Sequence, residues 1–316
     1  MEQFFQKLQT IDRRWIYLIL ALALIISLIL GKQENPIVLP SVKQLYDAVE
    51  QAPAGQGEGK IITIGMTFSP STIGESGNQA RAIVRHMFLA HKRFAIISIG
   101  EAQGADISLR IVQDIADQYG AVYGVDWIAF GFQPNSLATF KALPQDITGV
   151  VKRDALEEKP TASFPIMHGI KNIKDVALHI EITASASLFD WIQIVQPMTS
   201  PRLKIGYACT GVMAAEAYPL LDSGQVTGML PGLKGAADYE KLVDDKEKAE
   251  RDAGMTTVTF HTEGNKRYPL LATSARQLMF TQGWAHIVII LFIALGNIGL
   301  LLANLSKRRA ARKEDA

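Results

Sequence analysis

The apolar positions along this chain follow two rhythms. Near each end they run without interruption. From Trp15 to Leu30 every residue is apolar except Tyr17 and Ser27, and from Trp284 to Leu305 no residue is charged. At about 1.5 Å per helical residue the first run covers about 24 Å, near the short limit for a hydrocarbon core of about 30 Å, whereas the second is long enough to cross it. Between the runs, short apolar stretches alternate with amphipathic ones. Strand patterns occupy Lys60–Met66, Phe94–Ile99, Trp127–Phe132, Val176–Thr183, Leu203–Ala208 and Val226–Leu230. Helical spacing appears in Asn78–His91, where Ala82, Ile83, Val84, Met87 and Phe88 share a face, and again in Ala105–Tyr119, Leu137–Leu143, Leu188–Val195 and Val212–Leu221. Strands alternating with helices predict an α/β fold with a mainly parallel, doubly wound sheet and right-handed crossovers, flanked by two transmembrane helices.

The predicted organisation is a tail over 1–14, a transmembrane helix over 15–31, a linker and short helix over 32–59, an α/β domain over 60–283, a second transmembrane helix over 284–305 and a basic tail over 306–316. Asp146–Lys174 has little periodicity and reads as an excursion across the surface. Asp238–Arg251 reads as a charged helix, and Thr256–Thr262 alternates like an edge strand or hairpin arm.

Charge placement orients the chain. Lys7, Arg13 and Arg14 precede the first apolar run, and Lys307, Arg308, Arg309, Arg312 and Lys313 follow the second. The positive-inside rule then puts both termini in the cytoplasm and the domain outside the plasma (inner) membrane. No small-residue A-x-A pattern follows Leu28-Ile29-Leu30-Gly31-Lys32, so the first run reads as an uncleaved anchor. With 48% apolar residues the chain can build a sizeable core. Residues 33–283 carry 23 basic and 27 acidic side chains, which offers no clustered basic face for nucleic acid. The single cysteine, Cys209, excludes an intramolecular disulfide.

In an open parallel sheet ligands bind beyond the carboxyl ends of the strands. The loops there supply Thr67, Ser69, Glu75, Glu101, Gln133, Ser185, Ser187, Thr210 and Lys234 as ligand-binding candidates, a hydroxyl- and amide-rich set suited to a polar or anionic group. The same residue types cap helices and build turns without any ligand. Cys209 precedes a helix start that can lower a thiol pKa, but burial as an inert apolar group is the commoner fate. Glu75 and Glu101 form an acid/base pair only if their strands are neighbours. No G-x-S-x-G, P-loop or G-x-G-x-x-G stands in context, and the six histidines show no metal-ligand spacing, so no catalytic residue, cofactor or metal is expected. In the second apolar run Gly296, Asn297 and Gly299 form a small, polar face suited to contact with another helix.

Ile11–Tyr17 before the first anchor, Ser223–Gly228 with Gly232–Glu240, and Leu295-Gly-Asn-Ile298 in the second carry a likeness. On these segments the chain resembles a loosely defined group of uncharacterised prokaryotic membrane proteins in which two terminal helices flank a Rossmann-like extracytoplasmic domain. The resemblance implies the architecture and transfers no catalytic residue. The expected function is that of a non-enzymatic component of a membrane protein complex, bound to other membrane proteins or to copies of itself. The alternatives are a small-ligand-binding or sensory outer domain and, third, a hydrolase using Cys209, Ser185 or Ser187.

Overall fold

The computed structural model describes residues 12–53, 59–254 and 274–314. They divide into two compact units, an α/β unit over Asn35–Arg276 and a helical unit formed by the flanking segments. The expected strand Thr256–Thr262 lies outside the described residues.

Six strands build the α/β unit: β1 (Ile61–Thr67), β2 (Phe94–Ile99), β3 (Trp127–Gln133), β4 (Val176–Thr183), β5 (Ile205–Cys209) and β6 (Gly228–Pro231). All neighbours pair in parallel, in the order β3-β2-β1-β4-β5-β6. This is the strand order of a doubly wound Rossmann-like sheet, with its topological switch point between β1 and β4. β1, β2 and β4 are aliphatic-rich and almost wholly buried because helices or loops cover both faces.

One face carries α2 (Pro40–Gln51), α3 (Asn78–Leu89), α4 (Ala102–Tyr119) and α9 (Gly232–Asp252). There Leu45, Val49, Ile83, Met87, Val112 and Tyr239 close on Ile62, Ile64 and Met66. The helix expected to lie in the linker is therefore part of the core: Val42, Leu45 and Val49 of α2 are fully buried. The opposite face carries α5 (Leu137–Ala142), α6 (Ile147–Val150), α7 (Ser187–Asp190) with the helical turns that follow it, and α8 (Ala214–Asp222). The supposed surface excursion 146–174 also belongs to this face, since Phe164, Ile166, Met167, Ile170 and Ile173 are buried in its core. These residues sit in or beside short 3-10 turns, which leave no long apolar period to read.

Helix α9 begins at Gly232 rather than Asp238 and absorbs the expected loop 231–236. Both chain entries to the unit attach to it. Asp238 accepts the Leu39 N–H at 3.0 Å and pairs with Lys234, which also donates to the Ile37 carbonyl at 2.8 Å. Glu240 accepts the Arg276 N–H at 3.3 Å, and the Arg276 guanidinium reaches Asp244 at 2.8 Å.

The helical unit contains α1 (Arg13–Leu30) and most of α10 (Ala275–Glu314). The Asp12 side chain caps α1 by accepting the Arg14 N–H, and Gly31, at φ +60°, ends it in the left-handed region that glycine enters freely. Within α10, Ala275–Leu302 is long and apolar enough to cross a membrane by length and composition. That helix starts nine residues before Trp284, the expected boundary. The apolar stretch of α1, Arg14–Leu30, is shorter. Most of its apolar side chains are exposed, Ile29 at 79%, as Leu301 is at 63% in α10, while Ser27 is buried. Asn297 Nδ2 donates to the Ile293 carbonyl of its own helix at 2.9 Å.

Candidate functional site

The switch point is polar on one face. Alternate residues of a strand share a face, and the register sets Thr63, Gly65 and Thr67 of β1 beside His179, Glu181 and Thr183 of β4. Thr63 Oγ1 lies 2.9 Å from His179 Nδ1, and His179 Nε2 lies 2.9 Å from Glu181 Oε2. Ser187 donates to Glu181 Oε1 at 2.6 Å, and the hydroxyls of Thr183 and Ser185 continue the chain at 2.8 Å. The His179 ring stacks on Trp191 at 3.7 Å between centroids. Glu181 is almost entirely shut off from solvent. A buried carboxylate is tolerable only with full hydrogen bonding, which this network supplies. Gly65 makes it possible, because a Cβ there would lie 1.7 Å from Glu181 Oε2. Burial and the Glu181 charge raise the pKa of Asp190, at the end of α7.

The loops beyond this stripe are bonded to one another. Glu75 accepts the Gly211 N–H at 2.7 Å, and its carboxylate also fills the space beside Gly232. Gln79, fully buried in the first turn of α3, directs its amide at the carbonyls of Cys209, Leu230 and Gly232, at 2.8, 3.1 and 3.1 Å. It thereby ties the helix after β1 to the ends of β5 and β6.

The expected site residues thus divide. Thr67, Ser185 and Ser187 flank the β1/β4 edge, Glu75 bridges to the β5 loop, and Thr210 is buried at the start of the turn that begins with Gly211. Thr67 is buried, with its hydroxyl 3.5 Å from the Ile99 N–H, and Ser69 pairs with Ser71 at 2.7 Å. Glu101 and Gln133 stand apart, at the start of α4 and the end of β3. The strands that lead to Glu75 and Glu101, β1 and β2, are neighbours, but Glu75 is bonded to Gly211 beyond β5 while Glu101 stands at the start of α4 after β2. Lys234, on the first turn of α9, gives its ammonium to Asp238 and Ile37 rather than to any anion-binding crevice.

Cys209 is fully buried, and burial pushes its thiol up to about 12, the opposite of an activated nucleophile. Among the described residues no group of His, Cys, Asp and Glu is arranged to hold a metal ion. His179, Glu181 and Gln79 lie inside elements, where loop composition gives no sign of them. The readable signal is Val176–Thr183 itself, in which His179, Glu181 and Thr183 alternate with aliphatic residues in a strand too apolar to have a solvent face.

A second buried histidine joins α2, α3 and α9. His86 Nδ1 lies 2.7 Å from the Tyr239 hydroxyl, and its Nε2 lies 2.8 Å from Glu50, which also pairs with Lys246. Burial raises Tyr239 well above its ordinary value and lowers His86, so the phenol donates to a neutral imidazole that donates to Glu50. The hydrogen bond from His86, with Lys246 adding to it, holds Glu50 at about 2. For both groups the unfolded chain binds more protons than the folded one, so the stability is full above the ordinary value and is lost as pH falls from that value to the lower one of the folded state. The melting temperature of the detergent-solubilised protein is expected to fall as pH drops below about 7, where His86 would charge in the unfolded chain, and to fall further from about pH 4.5 down to about 2, the window of Glu50. A level or rising melting temperature over this range would contradict the assignment.

No family model, curated protein or solved structure matches the chain.

Proposed function

We propose that the protein is a non-enzymatic component of a membrane protein complex, its α/β unit held on the extracytoplasmic side by α1 and α10, with both termini in the cytoplasm. The observation that carries this reading is the closure of the carboxyl edge at the switch point, from β1 through β4 to β5 and β6. Glu75, Gln79, Glu181 and Ser187 direct their hydrogen bonds into the protein itself, and Cys209 is buried as a protonated thiol. An enzyme of this fold class needs reactive groups presented to a substrate at that edge. Among the described residues Cys209, Ser185 and Ser187, the nucleophiles of the hydrolase reading, are buried or bonded to neighbouring side chains.

The bilayer placement is supported by the bare apolar surfaces of α1 and α10 and by the basic residues flanking them. At 18 residues, about 27 Å, α1 spans if its ends snorkel or the bilayer thins locally. Gly296 and Asn297, both exposed, supply the face for a neighbouring helix, beside the already buried Gly299. The Asn297 amide N–H is used within α10, which leaves its carbonyl oxygen as an acceptor across the contact.

Purified in mild detergent, the protein is expected to migrate as a species larger than a monomer. Asn297→Leu combined with Gly296→Leu should shift it toward the monomer on native gels, each lost contact weakening assembly by roughly 0.5–2 kcal/mol, with the α/β unit still folded. A monomer at native abundance rules the proposal out, and an assembly indifferent to both substitutions means that α10 serves only as an anchor and the contact lies elsewhere.

A further inference from the structure

A cleft of about 220 Å³ opens between α4 and the carboxyl halves of β2 and β3, away from the β1/β4 stripe. Small residues make the space: Ala102 and Ala105 on the helix, Ala129 and Gly131 on the strand, and Ala155 beside it. Gly131, at φ +68°, sits where the β2/β3 register shifts, and a Cβ there would lie 2.9 Å from that of Ala155. Conformation and space both require glycine at this point of the wall.

The chemistry of the cleft is one-sided. Ser98 donates its proton to the Glu101 carbonyl at 2.6 Å, and Ser108 donates to the Ala105 carbonyl at 2.9 Å. Both serines line the cleft and spend their protons inside the protein, so each has only lone pairs left to offer an incoming group. The exposed Asp106 adds a carboxylate, and no lysine, arginine or histidine lines the space. Anions therefore find no donor side chain, while a ligand bearing N–H groups finds acceptors. The remaining walls, Ile96, Leu109 and the partly exposed Phe132, are apolar. A cavity of about 150 Å³ suffices for benzene, so the space fits a single ring with a short polar substituent.

We infer that this cleft binds a small organic cation, an ammonium or amidinium group on a compact, flat apolar body. The charged head meets Asp106 and the serine oxygens, and the ring lies against Phe132 and the alanines. This site is independent of the proposed role in a complex, because it involves neither the anchors nor the closed switch-point edge.

The test is a thermal-shift and calorimetric titration of the full-length protein in detergent with benzamidine and benzylamine, using benzoate as the anionic counterpart of the same size. Both cations are expected to raise the melting temperature at millimolar concentration, and benzoate is not. Asp106→Asn, at an exposed helical position, should leave the unliganded melting temperature unchanged and weaken benzamidine binding roughly five-fold. Ala105→Leu should fill the cleft and abolish the shift. The inference is overturned if neither cation shifts the melting temperature, if benzoate acts as strongly, or if Asp106→Asn binds benzamidine as the parent does. Unaltered binding to Ala105→Leu would overturn it equally.

Discussion

Gly228→Ala is expected to lower folding stability by about 3 kcal/mol or more. A Cβ at this position of β6 would lie 2.2 Å from the Leu45 nitrogen and 2.6 Å from its Cα. Those atoms belong to the main chain of α2 and have no rotamer to escape into, so the helix itself must lift from the sheet. Gly206, on the neighbouring strand, provides the control. There a Cβ would meet the tip of the Leu45 side chain at 2.4 Å, which can turn aside. Urea unfolding of the detergent-solubilised protein should therefore rank Gly228→Ala well below Gly206→Ala. The reverse order would mean that α2 is not seated as described.

The second large effect is expected from Glu181→Ala, at about 3–5 kcal/mol, because it strands His179 and the Ser187 hydroxyl in the core and opens a cavity. Replacing Thr63→Val, His179→Leu, Glu181→Met and Ser187→Ala together removes the linked groups at once and should recover some of the loss. A loss below about 1 kcal/mol for Glu181→Ala, measured by the same unfolding experiment, would indicate that water reaches this carboxylate.

Much of the sheet is legible in the sequence. β2 and β4 coincide with the expected strands to the residue, because aliphatic runs bounded by polar residues leave little freedom in placing them. The start of α9 is hidden because Pro231-Gly232-Leu233-Lys234-Gly235 has the composition of a turn. In the fold, Gly235 serves close packing instead, with a Cβ there falling 2.5 Å from the Leu230 carbonyl carbon. The apolar stripe of α2 is visible, but its destination on β6, some 180 residues away, is a tertiary choice that no local pattern encodes.

The site is less legible than the fold for a related reason. Loop composition finds Glu75 but not Gly211, which lies 136 positions further along the chain. It finds Ser187 but not the histidine–glutamate pair behind it, since pairing Thr63 with His179 depends on register rather than on sequence proximity. The cleft beside α4 is hidden because alanines and glycines signal a cavity only once their elements are placed.

Attachment of both chain entries to one helix has a mechanical meaning. The Leu39 and Arg276 amides are held by carboxylates two positions apart on α9, so the two ends of the unit meet across less than one helical turn. Tension applied between those ends loads that short piece of α9 and its hydrogen bonds. It does not pass along the six strands, whose bonds could otherwise break in succession. Under force, the attachments at Asp238 and Glu240 are the first to yield, and the sheet remains unstretched until they do.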